Sequence, residues 1–365
     1  MFQRDLQQLE AGLDPLQQRL DTSIARIADG LQELPVADVP ALQAELRLLD
    51  RVVAEAQQWI AAYALTARGQ EPPAAPPGDR HRFQARFGQF RNVIGRWPAV
   101  REVVHRQVFA RRQRLLQRDL QPDSLPWAHT RLADDLFNAL HLALLPGQQQ
   151  DAARDSGAYP DIGMLNSVFV ALMMATRRLQ LARRAERTRF LDVGCGIGIK
   201  VLSAFRFFSE AAGLELDQGY AAAARRVLDG AGLGSAPVFE ANALTFSGYG
   251  DYEVVYFFKP LRDPELLIEL ERRIATAVRP GTVLIAPYRE FEQRHRFYGC
   301  ARLARGLYLS GSSVAAARRL RQKAEWIGLA PLTRPEPVPD FWQPLISASQ
   351  ANGYDLFRPG RLDGV

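Results

Sequence analysis

Arg189-Phe-Leu-Asp-Val-Gly-Cys-Gly-Ile-Gly198 is an apolar run that gives way to a glycine loop. Phe190, Leu191 and Val193 make a short, buried-type strand, and glycines at 194, 196 and 198 follow at once. Glycine lets the backbone take unusual dihedrals and lets a ligand come close to it. A helix is expected to begin near Ile199, with its open N-terminus pointing at whatever sits on the loop. Strand, glycine loop and helix in this order open an α/β unit.

The pattern continues toward the C-terminus. Strand-length apolar runs recur at 212–216, 237–240, 253–258 and 282–286, with helical stretches between them, and a helix over about 162–185 leads in. Strands alternating with helices predict a doubly wound, mostly parallel sheet covered on both faces. The tail after Pro287 predicts helices over about 290–305 and 313–327 and Pro-rich connections at 331–344. Its aromatics, Tyr288, Phe291, Phe297, Tyr298, Tyr308, Phe341 and Trp342, either line a substrate pocket or cover one face of the sheet.

The loop is chemically selective. A dinucleotide fingerprint reads G-x-G-x-x-G, with the pyrophosphate on the helix terminus. Here the spacing is G-x-G-x-G, Ile199 stands where that fingerprint wants glycine, and Asp192 lies two residues before the first glycine. A carboxylate at the loop repels a pyrophosphate and suits a ligand carrying an ammonium and a sulfonium. Those two residues disfavour a nicotinamide oxidoreductase.

On these residues the chain resembles the class I, Rossmann-like S-adenosylmethionine-dependent methyltransferases. Asp192-Val-Gly-Cys-Gly-Ile-Gly198 is similar to their first motif, which cradles the amino-acid end of the cofactor. The resemblance implies that S-adenosylmethionine is bound by Asp192, Gly194, Cys195, Gly196 and Gly198. It implies that Glu215, in Gly213-Leu-Glu-Leu-Asp217, accepts hydrogen bonds from the two ribose hydroxyls. An Asp is expected after the third strand, facing the adenine amino group; Asn242 stands there instead, and its amide oxygen can accept the same hydrogen bond. Tyr159, in Tyr159-Pro-Asp161, lies where related enzymes cover the methionine end.

The fourth strand, within Tyr252-Glu-Val-Val-Tyr-Phe-Phe-Lys-Pro260, ends at the carboxyl edge of the sheet, where open α/β folds place ligands. The Asn/Asp-Pro-Pro-aromatic run of nucleobase-amino methyltransferases is missing, which favours a small-molecule or protein acceptor over a nucleobase. Tyr256 and Lys259 are the candidate catalytic residues, the lysine as holder of an acceptor carboxylate or phosphate; the plainer alternative is a surface lysine at a strand end. Of 46 basic residues only Lys200, Lys259 and Lys323 are lysine, so the first two stand out inside this domain. Cys195 reads as a packed loop residue rather than a nucleophile. The implied activity is methyl transfer to an unidentified acceptor. The alternative is a non-catalytic cofactor-binding scaffold assembled through the N-terminal helices.

Upstream, the chain reads as helix. Apolar residues recur in a four-three rhythm from Phe2 to Leu34 and again from Leu42 to Tyr63, two heptad seams separated by Pro35 and Pro40. Residues 1–70 are therefore expected as an antiparallel, coiled-coil-like hairpin, interrupted at Asp14-Pro15, that either supports a homodimer or caps its own chain. The Pro-rich 69–79 is a linker, residues 80–150 are helical and Arg-rich, and 151–365 hold the Rossmann-like domain. Helices are expected over about 99–119 and 132–145. Residues 1–70 carry six arginines against ten acidic residues, whereas 80–120 carry eleven arginines against Glu102 and Asp119. That second block suits an anionic partner or is a solvated helix face. Two cysteines and no apolar leader point to a reducing cytoplasm, no stretch is long enough to span a membrane, and the five histidines show no metal spacing.

Overall fold

The structure is a computed structural model, and it describes residues 2–33, 36, 38–68, 77–116, 120–146, 151–155, 157–159, 163–329 and 338–356. In chain order come α1 (Phe2–Gly30), α2 (Val39–Arg68), α3 (Pro77–Gly95), α4 (Trp97–Val108), α5 (Leu125–Leu144), α6 (Asp151–Asp155) and α7 (Asn166–Ala182). Then β1 (Arg189–Val193), α8 (Ile199–Ala204), β2 (Glu210–Glu215), α9 (Gln218–Gly230), β3 (Val238–Glu240), β4 (Val254–Phe257), α10 (Pro264–Ala277) and β5 (Val283–Ile285) alternate. The chain finishes with α11 (Arg289–Arg294), β6 (Ala301–Ala304), β7 (Leu307–Leu309), α12 (Val314–Ala324) and α13 (Gln343–Gln350). The residues divide into two compact units: Met1–Arg111 with Arg334–Asp363, and Arg112–Thr333 with Gly364–Val365. The division falls at Arg112, inside the expected Arg-rich segment, and the described tail residues from 338 to 356 belong with the N-terminal helices.

The first unit is helical. Arg19 bonds Glu55 and Arg26 bonds Glu45, pairs that run α1 and α2 antiparallel. The seam residues Leu13, Leu20, Ile27 and Leu49 are fully buried, and they share one core with Ile94, Trp97, Val103 and Trp342 from α3, α4 and the turn before α13. These seam residues are thus buried within the chain. Helix α1 passes through Pro15 without the expected interruption. Losing one backbone bond there, a penalty of roughly 3 kcal/mol, is offset by the buried seam on either side.

The second unit is a Rossmann-like, seven-stranded sheet in the order β3-β2-β1-β4-β5-β7-β6. Strands β1 to β5 are parallel where they pair, and β7 joins β5 antiparallel. Both faces are buried, as parallel sheets require. With a period of two, Phe190, Val254 and Tyr256 face one core with Phe169 and Met173 of α7, while Leu191, Val255 and Phe257 face another with Leu270 and Ile274 of α10.

Two helix expectations are corrected. The one at 290–305 stops at Arg294; a 3-10 turn and Gly299 (φ 66°) follow, and a hairpin turned at Gly306 (φ 74°) makes β6 and β7. The one at 99–119 ends at Val108, because the carbonyls of Gln113, Arg114 and Leu115 turn to the buried Arg178 guanidinium and Gln113 N–H donates to Glu325.

Candidate functional site

Chain order reverses at β1, whose neighbours are β2 on one side and β4 on the other. Open α/β sheets carry their crevice at such a switch point, outside the carboxyl ends of the strands. A cleft opens there. It is lined by the β1 loop (Asp192, Gly194, Cys195, Gly196, Lys200), the end of β2 (Leu214 to Leu216), Tyr220, the β3 exit (Ala241 to Ala243), the β4 exit (Tyr256, Phe258 to Leu261) and the segment Ala158-Tyr159.

The loop is built from glycine geometry. Gly194, Gly196 and Gly198 take φ values of 77°, 55° and 74°, a region that disfavours other residues. A Cβ on Gly194 would stand 3.0 Å from Pro260 Cβ, so the wall formed after β4 presses directly on the loop. Gly198 does not line the cleft. A Cβ there would meet Ala224 at 2.9 Å, so this glycine lets α8 approach α9. Cys195 packs against Gly213 of β2, where a Cβ would lie 2.5 Å from its Sγ.

Glu215 is buried, and three backbone amides fix its carboxylate. Gly196 N–H donates to Oε2 at 2.8 Å, and Leu216 and Asp217 N–H donate to Oε1 at 2.8 and 2.9 Å. The acid at the end of β2 is therefore bonded to the glycine loop itself. Asp192 is 1% exposed at the end of β1, and it too lines the cleft. Asn242 sits exposed at the β3 exit, with Oδ1 accepting from Leu244 N–H at 2.9 Å in an Asx turn.

The two candidate catalytic residues also line the cleft. Tyr256 is buried on β4, with its hydroxyl 3.6 Å from Met164 Sδ and its ring edge-on to Phe169. Lys259 has φ 46°, a strained value for a side-chain-bearing residue. Its Nζ bonds Glu290 Oε1 at 2.6 Å and lies 5.9 Å from the Tyr288 ring centroid. That hydrogen bond holds the Glu290 carboxyl below its usual range. The lysine expected to meet an acceptor anion is thus already seated on a carboxylate.

Sequence reading missed several parts. Tyr159 N–H donates to Pro260 O at 3.2 Å, Ala158 bridges Leu261, and Arg262 lies over the Tyr159 ring at 5.5 Å. This small antiparallel contact closes one side of the cleft, and no periodicity signals it. Pro160 and Asp161 of the same motif lie outside the described residues. Behind Lys259, the wholly buried Glu271 accepts from Tyr288 and Tyr298 hydroxyls (2.8 and 3.1 Å) and from Arg294 (2.8 and 2.6 Å). Burial and then Glu271 push the Tyr298 hydroxyl up to about 12. This network pins α11 to α10 and so fixes where Glu290 stands. Burial likewise pushes the Cys300 thiol up to about 11, which makes it inert. Lys200, in the first turn of α8, is the second cation of the cleft and is buried.

Fold and cleft together define a Rossmann-like domain whose cleft carries two buried carboxylates, a glycine loop and aromatic residues. No protein-family model matches the chain, and no curated protein matches its sequence. Solved structures do match over about a third of it. One is an RNA methyltransferase from Salinibacter ruber in complex with S-adenosyl-L-homocysteine, at 22% identity, covering 34% of this chain and 76% of that one, with a TM-score of 0.28. A sugar N-methyltransferase from a Streptoalloteichus species matches at 26% identity over 35% of this chain and 56% of its own, with a TM-score of 0.26. An S-adenosylmethionine-bound amino pentose methyltransferase from Micromonospora echinaspora matches at 21% identity over 35% and 58%, with a TM-score of 0.28. The chain spans little more than half the length of the last two. Among the described residues there is no cluster able to hold a metal and no helix long and apolar enough to cross a membrane.

Proposed function

We propose that this protein is an S-adenosylmethionine-dependent methyltransferase acting on a small-molecule or protein acceptor. The observation that carries this is Glu215, buried at the end of β2, bonded to the Gly196 amide and lining the cleft beside Asp192. The residues fit the cofactor. A Cβ would close the loop at Gly194, and the two carboxylates give the cleft acceptors for ribose hydroxyls and an ammonium, where a pyrophosphate would be repelled. Asp192, Gly194, Cys195 and Gly196 would hold the amino-acid end, Glu215 the ribose, Asn242 the adenine and Tyr159 the methionine side.

Bound there, S-adenosylmethionine supplies an electrophilic methyl group on a sulfonium. The chain's part is to bind, orient and exclude water. Proximity and orientation supply about 7–11 kcal/mol of such a barrier, so no triad or metal is needed. The rings of Tyr256 and Phe258 line the cleft and stabilise moving positive charge. Lys259 holds an anionic group of the acceptor by exchanging it for Glu290.

The test is to incubate the protein with methyl-labelled S-adenosylmethionine and cell extract split into small-molecule and macromolecular fractions. Acceptor-dependent formation of S-adenosylhomocysteine supports an enzyme. Cofactor binding without turnover in any fraction would favour the scaffold, with the helical first unit as its assembly element. A homodimer through residues 1–70 and an anionic partner at the arginines of 80–120 belong to the same proposal. In that block, Arg112 is already committed to Glu325.

A further inference from the structure

Lys200 is a lysine out of place. It is 8% exposed, its ammonium opens into the cleft, and among the described residues it has no hydrogen bond or ion pair. A cation held at a cleft wall with no protein anion beside it is placed to meet an anionic group that enters. It lies in the first turn of α8. The other cation of the cleft, Lys259, is seated on Glu290. The two carboxylates of the cleft, Asp192 and Glu215, are not bonded to Lys200 either, and three amides hold Glu215 toward the loop. Lys200 is therefore the cleft's unmatched positive charge, two residues after the glycine loop.

We infer that Lys200 binds a carboxylate, and that this is the carboxylate of the cofactor's amino-acid end. The inference rests on the proposed cofactor. Asp192, at the start of the loop, takes the ammonium of that amino acid; Lys200, at its end, takes the carboxylate. The loop then reads both charges of the zwitterion, one from each side. This makes the cleft selective for a ligand with an intact amino acid over its decarboxylated or truncated analogues. The same chemistry has a second source, a carboxylate on the methyl acceptor, and the experiment separates the two.

The experiment is calorimetric titration of the full chain with S-adenosylmethionine and with decarboxylated S-adenosylmethionine, for wild type, Lys200→Met and Lys200→Arg. Replacing a buried lysine by methionine keeps the apolar stem, so folding is preserved, and circular dichroism checks it. The wild type is expected to prefer the intact ligand about 10- to 100-fold, the range for one charge-assisted hydrogen bond. Lys200→Met is expected to reduce that preference to about twofold or less, and Lys200→Arg to keep most of it. A Lys200→Met protein that keeps the wild-type preference overturns the inference and leaves the acceptor's carboxylate as the lysine's partner. A wild type that binds both ligands equally also overturns it while leaving the cofactor assignment standing. A folded wild type that binds neither ligand overturns the cofactor reading itself, and this inference with it.

Discussion

Gly194 and Glu290 are the residues at which the account is most exposed to a single substitution. Gly194 combines φ 77° with a Pro260 neighbour 3.0 Å from any added Cβ. Gly194→Ala is expected to cost about 1–3 kcal/mol of stability and to weaken ligand binding, read by urea unfolding and titration; an unchanged midpoint would show that the loop is not under that constraint. Glu290 is held below its ordinary carboxylate value by Lys259. A lowered folded-state value means that the pair stabilises the protein above the usual Glu range, and that this is lost as pH falls through the lowered value. Both side chains are more than a third exposed, so Glu290→Gln is expected to cost only about 0.5 kcal/mol at pH 7 and nothing once the pH is below the lowered Glu290 value. Equal losses at both pH values in thermal unfolding would contradict the pairing. At this scale the sequence showed the loop and the acid at 215 because glycine spacing and strand ends are local signals. Glu290, Glu271 and the burial of Lys200 were hidden, because each depends on which distant element packs over it.

Elements whose two faces are both apolar were legible, and those made by single glycines were not. The five parallel strands fell within one or two residues of their expected places, since strands buried on both faces read as continuous apolar runs. The β6–β7 hairpin was missed, with β6 read into a helix over about 290–305, because its residues, Ala301 to Leu309, carry no alternation longer than three or four positions. Its turn rests on Gly306 at φ 74°, where a Cβ would stand 3.0 Å from Pro287. Gly306→Val is expected to cost about 2–3 kcal/mol and to speed amide exchange in β7 and β5 while leaving β2 and β3 protected. Uniform exchange across the sheet would contradict this assignment of the turn.

The whole molecule is two units whose boundaries do not follow the chain's order. The described residues 338–356 belong with the N-terminal helices, where Trp342 stacks on Trp97 with centroids 5.0 Å apart and donates to Val93 O at 2.8 Å. Trp342→Ala is expected to cost the first unit about 3–5 kcal/mol, with hydrogen exchange rising in α1 and α4 and unchanged in β1 and β4. A rise in the sheet as large as in the helices would contradict the division. No local pattern in 331–344 could announce this return, because its partners lie some 250 residues away. The central claim is that the cleft beside β1 binds S-adenosylmethionine through Asp192 and Glu215. Calorimetric titration of the purified chain, with Asp192→Ala and Glu215→Ala alongside, tests it most directly. The expected result is binding by the wild type and a loss of about 10- to 100-fold or more in each variant. A folded wild type that takes up no S-adenosylmethionine, or variants that bind as tightly as the wild type, would contradict it.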